Sequence, residues 1–166
     1  MPGIVKSYIH TGNQIGVLIE LKCQHKVTAI TSEFKTLANE IALHIAANPQ
    51  VKYIKVDQIP NHIIEQIRRR LESKGKPEDM EACIEALCLY RQSYLRDSSI
   101  TIEDLIKLST AQLSDSIFVN RFVRFAIEDS EEDFPNDPGN SVPSSPFPIS
   151  PSPLTNETEI DIENND

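Results

Sequence analysis

The fold follows from residues 8–23, which read Tyr8-Ile9-His10-Thr11-Gly12-Asn13-Gln14-Ile15-Gly16-Val17-Leu18-Ile19-Glu20-Leu21-Lys22-Cys23. Every second residue from Ile15 to Leu21 is apolar, which predicts a strand with one buried face. Gly12 and Asn13 favour a tight turn just before it. The segments 4–10 and 15–23 are therefore predicted to form a β-hairpin.

Helical patterns and a last strand follow the hairpin. Apolar residues recur at helical spacing, and Thr, Ser, Pro and Gly mark the ends of the segments. Thr31 or Ser32 can cap the first helix, which Pro49 ends, and Pro60 and Pro77 open the next two. Thr101 and Asp104 have the spacing of a capping box. The predicted elements are helices within residues 31–48, 60–75, 77–88 and 101–113, and a strand over 117–127.

This order of elements predicts an α+β fold. Two strands come first, four helices follow and one strand comes last, which favours a three-stranded antiparallel sheet with helices packed on one face. One face of the last strand is more apolar than the other, as expected for a strand half-covered by helices. A three-stranded sheet has two edges, and an uncovered edge can pair with a second chain.

Charge separates the chain into two parts. The net charge is −9, but 11 of the 25 acidic residues lie in residues 128–166, where there is no Lys or Arg. Residues 1–127 carry all 16 Lys and Arg against 14 acidic groups, so this part is near neutral. Seven of the 11 prolines follow Phe134. We therefore expect a core domain over residues 1–128 and a disordered acidic tail, rich in Pro and Ser, over 129–166.

Several classes of function lack their sequence signals. There is no Gly-rich phosphate loop, GxSxG, HExxH or CxxC motif, so no enzyme, cofactor or metal site is expected. No apolar run reaches the ~20 residues that span a bilayer, and no signal pattern opens the chain, which predicts a cytoplasmic or plastid stromal protein. Cys23, Cys83 and Cys88 are odd in number, which favours buried reduced thiols over disulfides.

Four segments resemble the core domain of the elongation factor Ts family. They are the hairpin, the helix from Ser32-Glu33-Phe34-Lys35 to Ala46-Ala47-Asn48-Pro49, the junction Gly75-Lys76-Pro77-Glu78, and the stretch from Gln92 through Arg96-Asp97-Ser98-Ser99-Ile100-Thr101 to Asn120-Arg121-Phe122-Val123-Arg124-Phe125. They run in family order across residues 3–128. The likeness is greatest to the short bacterial, cyanobacterial or plastid type with one core unit.

The resemblance implies a function in translation. Members of this family bind the GTPase elongation factor Tu and promote exchange of GDP for GTP, which involves no covalent chemistry. The family's motif Cys-Glu-Thr-Asp-Phe-Val-Ala, whose Asp and Phe push against the GTPase near its magnesium and phosphate site, aligns with residues 23–29. The implied partner-binding residues are His25, Lys26, Val27 and Thr28.

This chain departs from the family at those positions and at two others. Lys26 replaces the Asp and reverses its charge, while Val27 lacks the area of the Phe. The family's N-terminal three-helix module is expected to be lacking, because the hairpin begins close to Met1. The helix after Gly75 is shorter than the family's by about nine residues. The alternative is therefore an exchange-deficient interaction module of the same fold that binds elongation factor Tu or another partner.

Two further expectations concern other partners. Arg68, Arg69 and Arg70 form the densest basic cluster and could contact RNA, although the near-neutral domain makes nucleic acid the less favoured partner. Short single-core members of the family act as dimers. The resemblance and the open sheet edges together predict a two-fold symmetric homodimer, paired through the core sheet or the helices beside it.

Overall fold

A computed structural model of the chain describes residues 1–127. The predicted acidic tail, residues 129–166, lies outside the described residues. The described part contains strands β1 (Gly3–Ile9), β2 (Ile15–Lys22), β3 (Ser93–Tyr94), β4 (Asp97–Thr101) and β5 (Phe118–Ala126), and helices α1 (Lys26–Ile30), α2 (Ser32–Ala47), α3 (Asn61–Ser73), α4 (Met80–Leu87) and α5 (Ile102–Leu113). Short 3-10 turns lie at Val56–Gln58, Pro77–Asp79 and Leu89–Arg91.

Strands β1, β2 and β5 form the predicted three-stranded antiparallel sheet, with β2 in the middle. The hairpin turn is confirmed: the His10 N–H donates to the Ile15 carbonyl at 2.9 Å, and Gly12 has φ +93°. That angle favours glycine, which has no Cβ to clash. Gly3 is required for a different reason, because a Cβ there would lie 2.3 Å from the Leu21 carbonyl oxygen of the neighbouring strand.

The core lies between this sheet and the helices on one of its faces. On the inner side of β2, Val17, Ile19 and Leu21 are buried. Helix α2 packs on them with Phe34, Ile41 and Ile45, each 0% exposed. Burial of each such side chain is worth roughly 1.5–3 kcal/mol. Helix α5 adds Ile102 and Ile106 to the same cluster. The predicted α+β class with helices on one face is therefore confirmed.

The helix caps follow the sequence signals. The Thr31 hydroxyl accepts from the Phe34 N–H at 3.2 Å and starts α2. At α5, the Asp104 N–H donates to the Thr101 hydroxyl at 3.1 Å and the Thr101 N–H donates to the Asp104 carboxylate at 3.0 Å, so the capping box is confirmed. Helix α3 begins after Pro60 rather than at it. The segment after Pro77 starts as a 3-10 turn before α4.

The last strand differs from its prediction. Its pairing with β2 shifts between Glu20 and Leu21, because Arg121 pairs with Glu20 whereas Val119 pairs with Leu21. Asn120 is the extra residue of this β-bulge, and a bulge reverses which side chains face the core. Val119 is therefore buried, while Phe125 on the same predicted face is 70% exposed. The more apolar of the two predicted faces therefore lies under the helices only before the bulge.

Two small elements were not predicted. Helix α1 is only five residues long, and β3 and β4 form a short hairpin between α4 and α5. Both are too short for a periodic pattern to distinguish them from loops. The three cysteines are free: Cys23 and Cys88 are buried and Cys83 is half-buried.

A buried histidine ties α2 to the segment before β3. His44 is 2% exposed, and its Nε2 lies 2.8 Å from the Gln92 Oε1. The Gln92 amide nitrogen donates to the Ala86 carbonyl at 2.7 Å, so its oxygen must accept and His44 Nε2–H must donate. His44 Nδ1 has no hydrogen-bond partner within the described part of the chain. Burial lowers the pKa of His44, although the bond to Gln92 acts in the opposite direction.

We expect acid to destabilise the fold through His44. The unfolded chain takes up a proton near pH ~6.5 and the folded chain only at lower pH, so the free energy of unfolding decreases as the pH falls through this window. Urea unfolding at about pH 7.5 and about pH 5 measures the loss. His44→Gln, whose amide nitrogen can still reach Gln92, should lose less stability on acidification than the native chain. His62→Gln, at an exposed histidine, is the control and should change nothing.

A second stability prediction concerns the end of α5. Ser114 adopts φ +49° and ψ +40°, the left-handed conformation in which a non-glycine residue is strained. Ser114→Gly should raise the free energy of unfolding by about 0.5–1 kcal/mol, because relief of strain exceeds the added entropy of the unfolded chain. Ser109→Gly, in the interior of the same helix, should lower it by about 1 kcal/mol. Equal effects of the two substitutions in urea unfolding would contradict the assignment of strain to Ser114.

Candidate partner-binding loop

The four predicted partner-binding residues lie together in the connection between β2 and α2. Cys23 follows β2, and its thiol donates to the His25 carbonyl at 3.3 Å. The chain then turns through Gln24 and His25 into α1. We call residues 24–30 the contact loop. The structure places these four consecutive residues just after the end of the central strand.

The contact loop has an inner and an outer side. Lys26 and His25 are exposed, and the Val27 side chain is 70% exposed. Thr28 is only 4% exposed and faces inward. Thr28 therefore supports the loop from inside, and His25, Lys26 and Val27 form its accessible surface.

Ile30 is a further accessible residue that sequence reasoning missed. It is 71% exposed and lies three residues after Val27 in α1, so the two side chains are neighbours on the outer side of the helix. A large apolar side chain that is mostly exposed next to another is a feature of interaction surfaces. The signal was present as the i, i+3 spacing, but it required knowing that α1 is a helix.

The contact loop is held by the carboxylate of a residue that lies about 90 positions later in the sequence. Asp115 follows α5, and its side chain is 1% exposed. The Gln24 N–H donates to its Oδ1 at 2.9 Å and the His25 N–H donates to its Oδ2 at 3.0 Å. His25 Nδ1 lies 3.3 Å from the same carboxylate. Asp115 thus satisfies the two backbone donors that precede α1.

The hydrogen bonds keep the buried carboxylate ionised. Burial acts to raise the pKa of Asp115, but the hydrogen bonds from the Thr28 side chain and from the backbone of His25 and Gln24, together with the nearby His25, outweigh it and lower the pKa to about 2. A charge removed from water is tolerated only with such a set of donors. Sequence alone gave no reason to join residue 115 to residues 24–28, which are about 90 positions away.

The accessible side of the contact loop combines charge with apolar surface. No group of three or more His, Cys, Asp or Glu able to hold a metal ion occurs among residues 1–127. No helix in the described part is long and apolar enough to cross a membrane. The loop instead offers a positive charge beside two exposed apolar side chains on a fixed backbone. Such a surface can bind a folded partner.

The basic cluster lies elsewhere. Arg68, Arg69 and Arg70 are all exposed on α3, and Arg68 forms an ion pair with Glu65 at 2.6 Å. Consecutive residues of a helix point in different directions. The structure therefore does not gather the three side chains on one side of α3. The expectation that nucleic acid is the less favoured partner stays a prediction.

The sequence matches a known family over the whole of the described part. A sequence model described as "Elongation factor TS" matches residues 1–129. The chain is 41% identical to elongation factor Ts of Cyanothece sp., with 78% of this chain and 54% of the relative covered. It is 41% identical to the chloroplastic elongation factor Ts of Galdieria sulphuraria, with 75% and 69% covered. It is also 41% identical to elongation factor Ts of Trichodesmium erythraeum, with 78% and 65% covered.

These relatives are longer than the present chain. It spans between about half and about two thirds of their length. The match includes the hairpin, the contact loop, α2, α5 and β5, which together carry the core and the candidate site. By the extent of this match and the level of identity, the chain belongs to the elongation factor Ts family.

Proposed function

We propose that this chain binds the translational GTPase elongation factor Tu through the contact loop and promotes exchange of GDP for GTP. The observation that supports the proposal most directly is the exposure of His25, Lys26 and Val27 at the positions of the family's contact motif. Family membership supplies the class of partner. The chain acts without a cofactor and without covalent chemistry, in the cytoplasm or the plastid stroma.

Exchange requires a difference in affinity between two states of the partner. A factor promotes release of GDP only if it binds the nucleotide-free GTPase more tightly than the GDP-bound form. The phosphate and magnesium site changes with the bound nucleotide, so contacts near it can provide that difference. The contact loop would press on this region with Lys26, Val27 and Ile30, which project from a backbone fixed by Asp115.

Lys26 and Val27 favour a second candidate function, in which the chain binds the GTPase without promoting exchange. An ammonium group cannot replace the family's carboxylate at a charged contact, and Val buries less area than Phe. A chain with these residues could bind the GTPase and leave its nucleotide in place. That is the exchange-deficient interaction module, and the rate of GDP release separates it from an exchange factor.

We also propose that two copies of the chain pair through the outer face of the sheet. This face is the one turned away from α2, and the β-bulge adds residues of β5 to it. Of the twelve large apolar side chains that are exposed in the described part, half lie here. They are Val5, Ile9, Leu18, Val123, Phe125 and Ile127.

A second copy is the occupant that fits this face. The outward face of an antiparallel sheet is polar when water covers it, and contiguous apolar patches mark interaction sites. Opposite charges border the patch at one end. There the Glu20 carboxylate lies 2.7 Å from the Arg121 Nε and 3.4 Å from the Lys22 Nζ. A patch that carries both signs of charge is complementary to itself across a two-fold axis.

The division of the chain into a core domain of residues 1–128 and a tail of residues 129–166 remains a prediction.

Exchange is tested by release of a fluorescent GDP from elongation factor Tu in stopped flow. We expect the full chain at micromolar concentration to accelerate release. Lys26→Asp combined with Val27→Phe should accelerate it by a further factor of about ten, which corresponds to ~1.4 kcal/mol of added differential binding. The matched control is Lys55→Asp with Val56→Phe, since the same dipeptide occurs there outside the contact loop. It should leave the rate unchanged.

The outcomes separate the two candidate functions. Binding of elongation factor Tu by the native chain without faster release supports the interaction module, and gain of release by the double variant then assigns the loss to Lys26 and Val27. If neither the native chain nor the double variant accelerates release, the exchange function is refuted.

Pairing through the outer sheet face predicts that a single charge introduced into this face will separate the two copies. Phe125→Asp should convert a dimer into a monomer at tens of micromolar protein, because an unpaired carboxylate buried in an apolar interface costs several kcal/mol. Leu108→Asp is the control, since Leu108 is 59% exposed on α5 and away from this face. Light scattering on the full chain gives the mass. A native chain with the mass of one protomer would refute the pairing.

A further inference from the structure

The contact loop has little conformational stability of its own. Helix α1 has five residues, and a helix so short does not persist in water without tertiary support. Its N-cap residue, His25, makes no side-chain cap hydrogen bond, and its first turn contains no acidic residue. The inward-facing Thr28 and Ala29 anchor one side of the helix. The start of the loop therefore depends on another part of the chain.

Asp115 supplies that support. Its two carboxylate oxygens each accept one backbone N–H, from Gln24 at 2.9 Å and from His25 at 3.0 Å. Two bonds from one planar group fix both the position and the orientation of the backbone they hold. The backbone direction at this point sets where Lys26 and Val27 project. Asp115 is buried, so it does not reach the accessible surface of the loop.

The end of α5 directs Asp115 to this position. Ser114 adopts the left-handed conformation, which stops the helix and turns the chain. The Asp115 N–H still donates to the Thr110 carbonyl at 3.2 Å, and the next residues enter β5 beside the central strand. The carboxylate is thus mounted on the rigid junction between α5 and the sheet. A loop held by such a junction can meet its partner without first becoming ordered.

We propose that Asp115 is a positioning residue for partner recognition: its carboxylate holds the backbone of Gln24 and His25 so that Lys26, Val27 and Ile30 meet the partner GTPase in a fixed arrangement. This rests on the proposed function. Asp115 raises affinity without touching the partner, because a preorganised surface loses less conformational entropy on binding. We call the two hydrogen bonds from the Gln24 and His25 N–H groups to Asp115 the clamp. Weakening of the clamp should lower the affinity of the chain for its partner while the rest of the domain stays folded.

Asp115→Asn is the direct test. The side-chain shape is kept, but the amide group replaces one acceptor oxygen with a donor that faces a backbone N–H. We expect hydrogen exchange of the Gln24 and His25 amides, followed by NMR in the free chain, to become at least about tenfold faster. Affinity for elongation factor Tu should fall by a similar factor. Amides of α2 and β2 should keep their protection, which separates loss of positioning from general destabilisation.

Asp97→Asn is the matched control. Asp97 also accepts a backbone N–H, from Ser99 at 3.0 Å, but it lies in the β3–β4 hairpin. This substitution should change neither the amides of the contact loop nor the affinity. If Asp115→Asn does not fold, Asp115→Glu keeps the buried charge and displaces it by one methylene group, and the same two measurements apply.

The outcomes distinguish this inference from the function on which it rests. Unchanged amide exchange at Gln24 and His25 in the Asp115 variant overturns the clamp. Faster exchange with unchanged affinity overturns the role in recognition. A native chain that does not bind elongation factor Tu refutes the proposed function and the role in recognition together, and the amide measurement in the free chain still decides whether Asp115 fixes the loop.

Discussion

The structure depends on the burial of one side of β2. Among the described strands of the larger sheet, β2 is hydrogen-bonded to a neighbour on both edges. Ile19 and Leu21 on its inner side, and Cys23 just after its end, are 0% exposed. The alternation that buries them also fixes the register of both neighbours, since a slip by one residue would turn the buried set toward water. Helix α2 and the contact loop follow directly from the end of this strand. Their positions are consequences of that register.

The parts that the sequence predicted are those governed by local rules. The hairpin turn, the Thr31 cap of α2 and the capping box between Thr101 and Asp104 each involve residues a few positions apart. Such signals can be read in one window of sequence. The contact loop was predicted for a different reason: the resemblance to the family placed His25, Lys26, Val27 and Thr28 there. Which of them are accessible required the structure.

The parts that the sequence did not predict depend on distant residues. The bulge at Asn120 arises from pairing with β2, about 100 positions earlier, and no pattern within 117–127 marks it. Before the bulge, the odd-numbered residues Ile117 and Val119 are buried; after it, Phe122 is the residue packed on the core. The support of the loop by Asp115 is likewise a contact over about 90 positions. In both cases a local alternation is overridden by the geometry of a neighbouring element.

In the contact loop, the groups that fix the backbone are different from the side chains that are exposed on its outer side. Thr28, Ala29 and the two backbone amides that reach Asp115 all face inward, and none of these interactions involves the side chain of Lys26 or Val27. The side chains at positions 26 and 27 can therefore differ in charge and size without loss of the loop conformation. This explains how the chain can keep the family's fold with Lys26 in place of a carboxylate and Val27 in place of an aromatic ring. Under the proposed function, the outer residues would set affinity and exchange, because the same inner contacts fix the position of any side chain placed there.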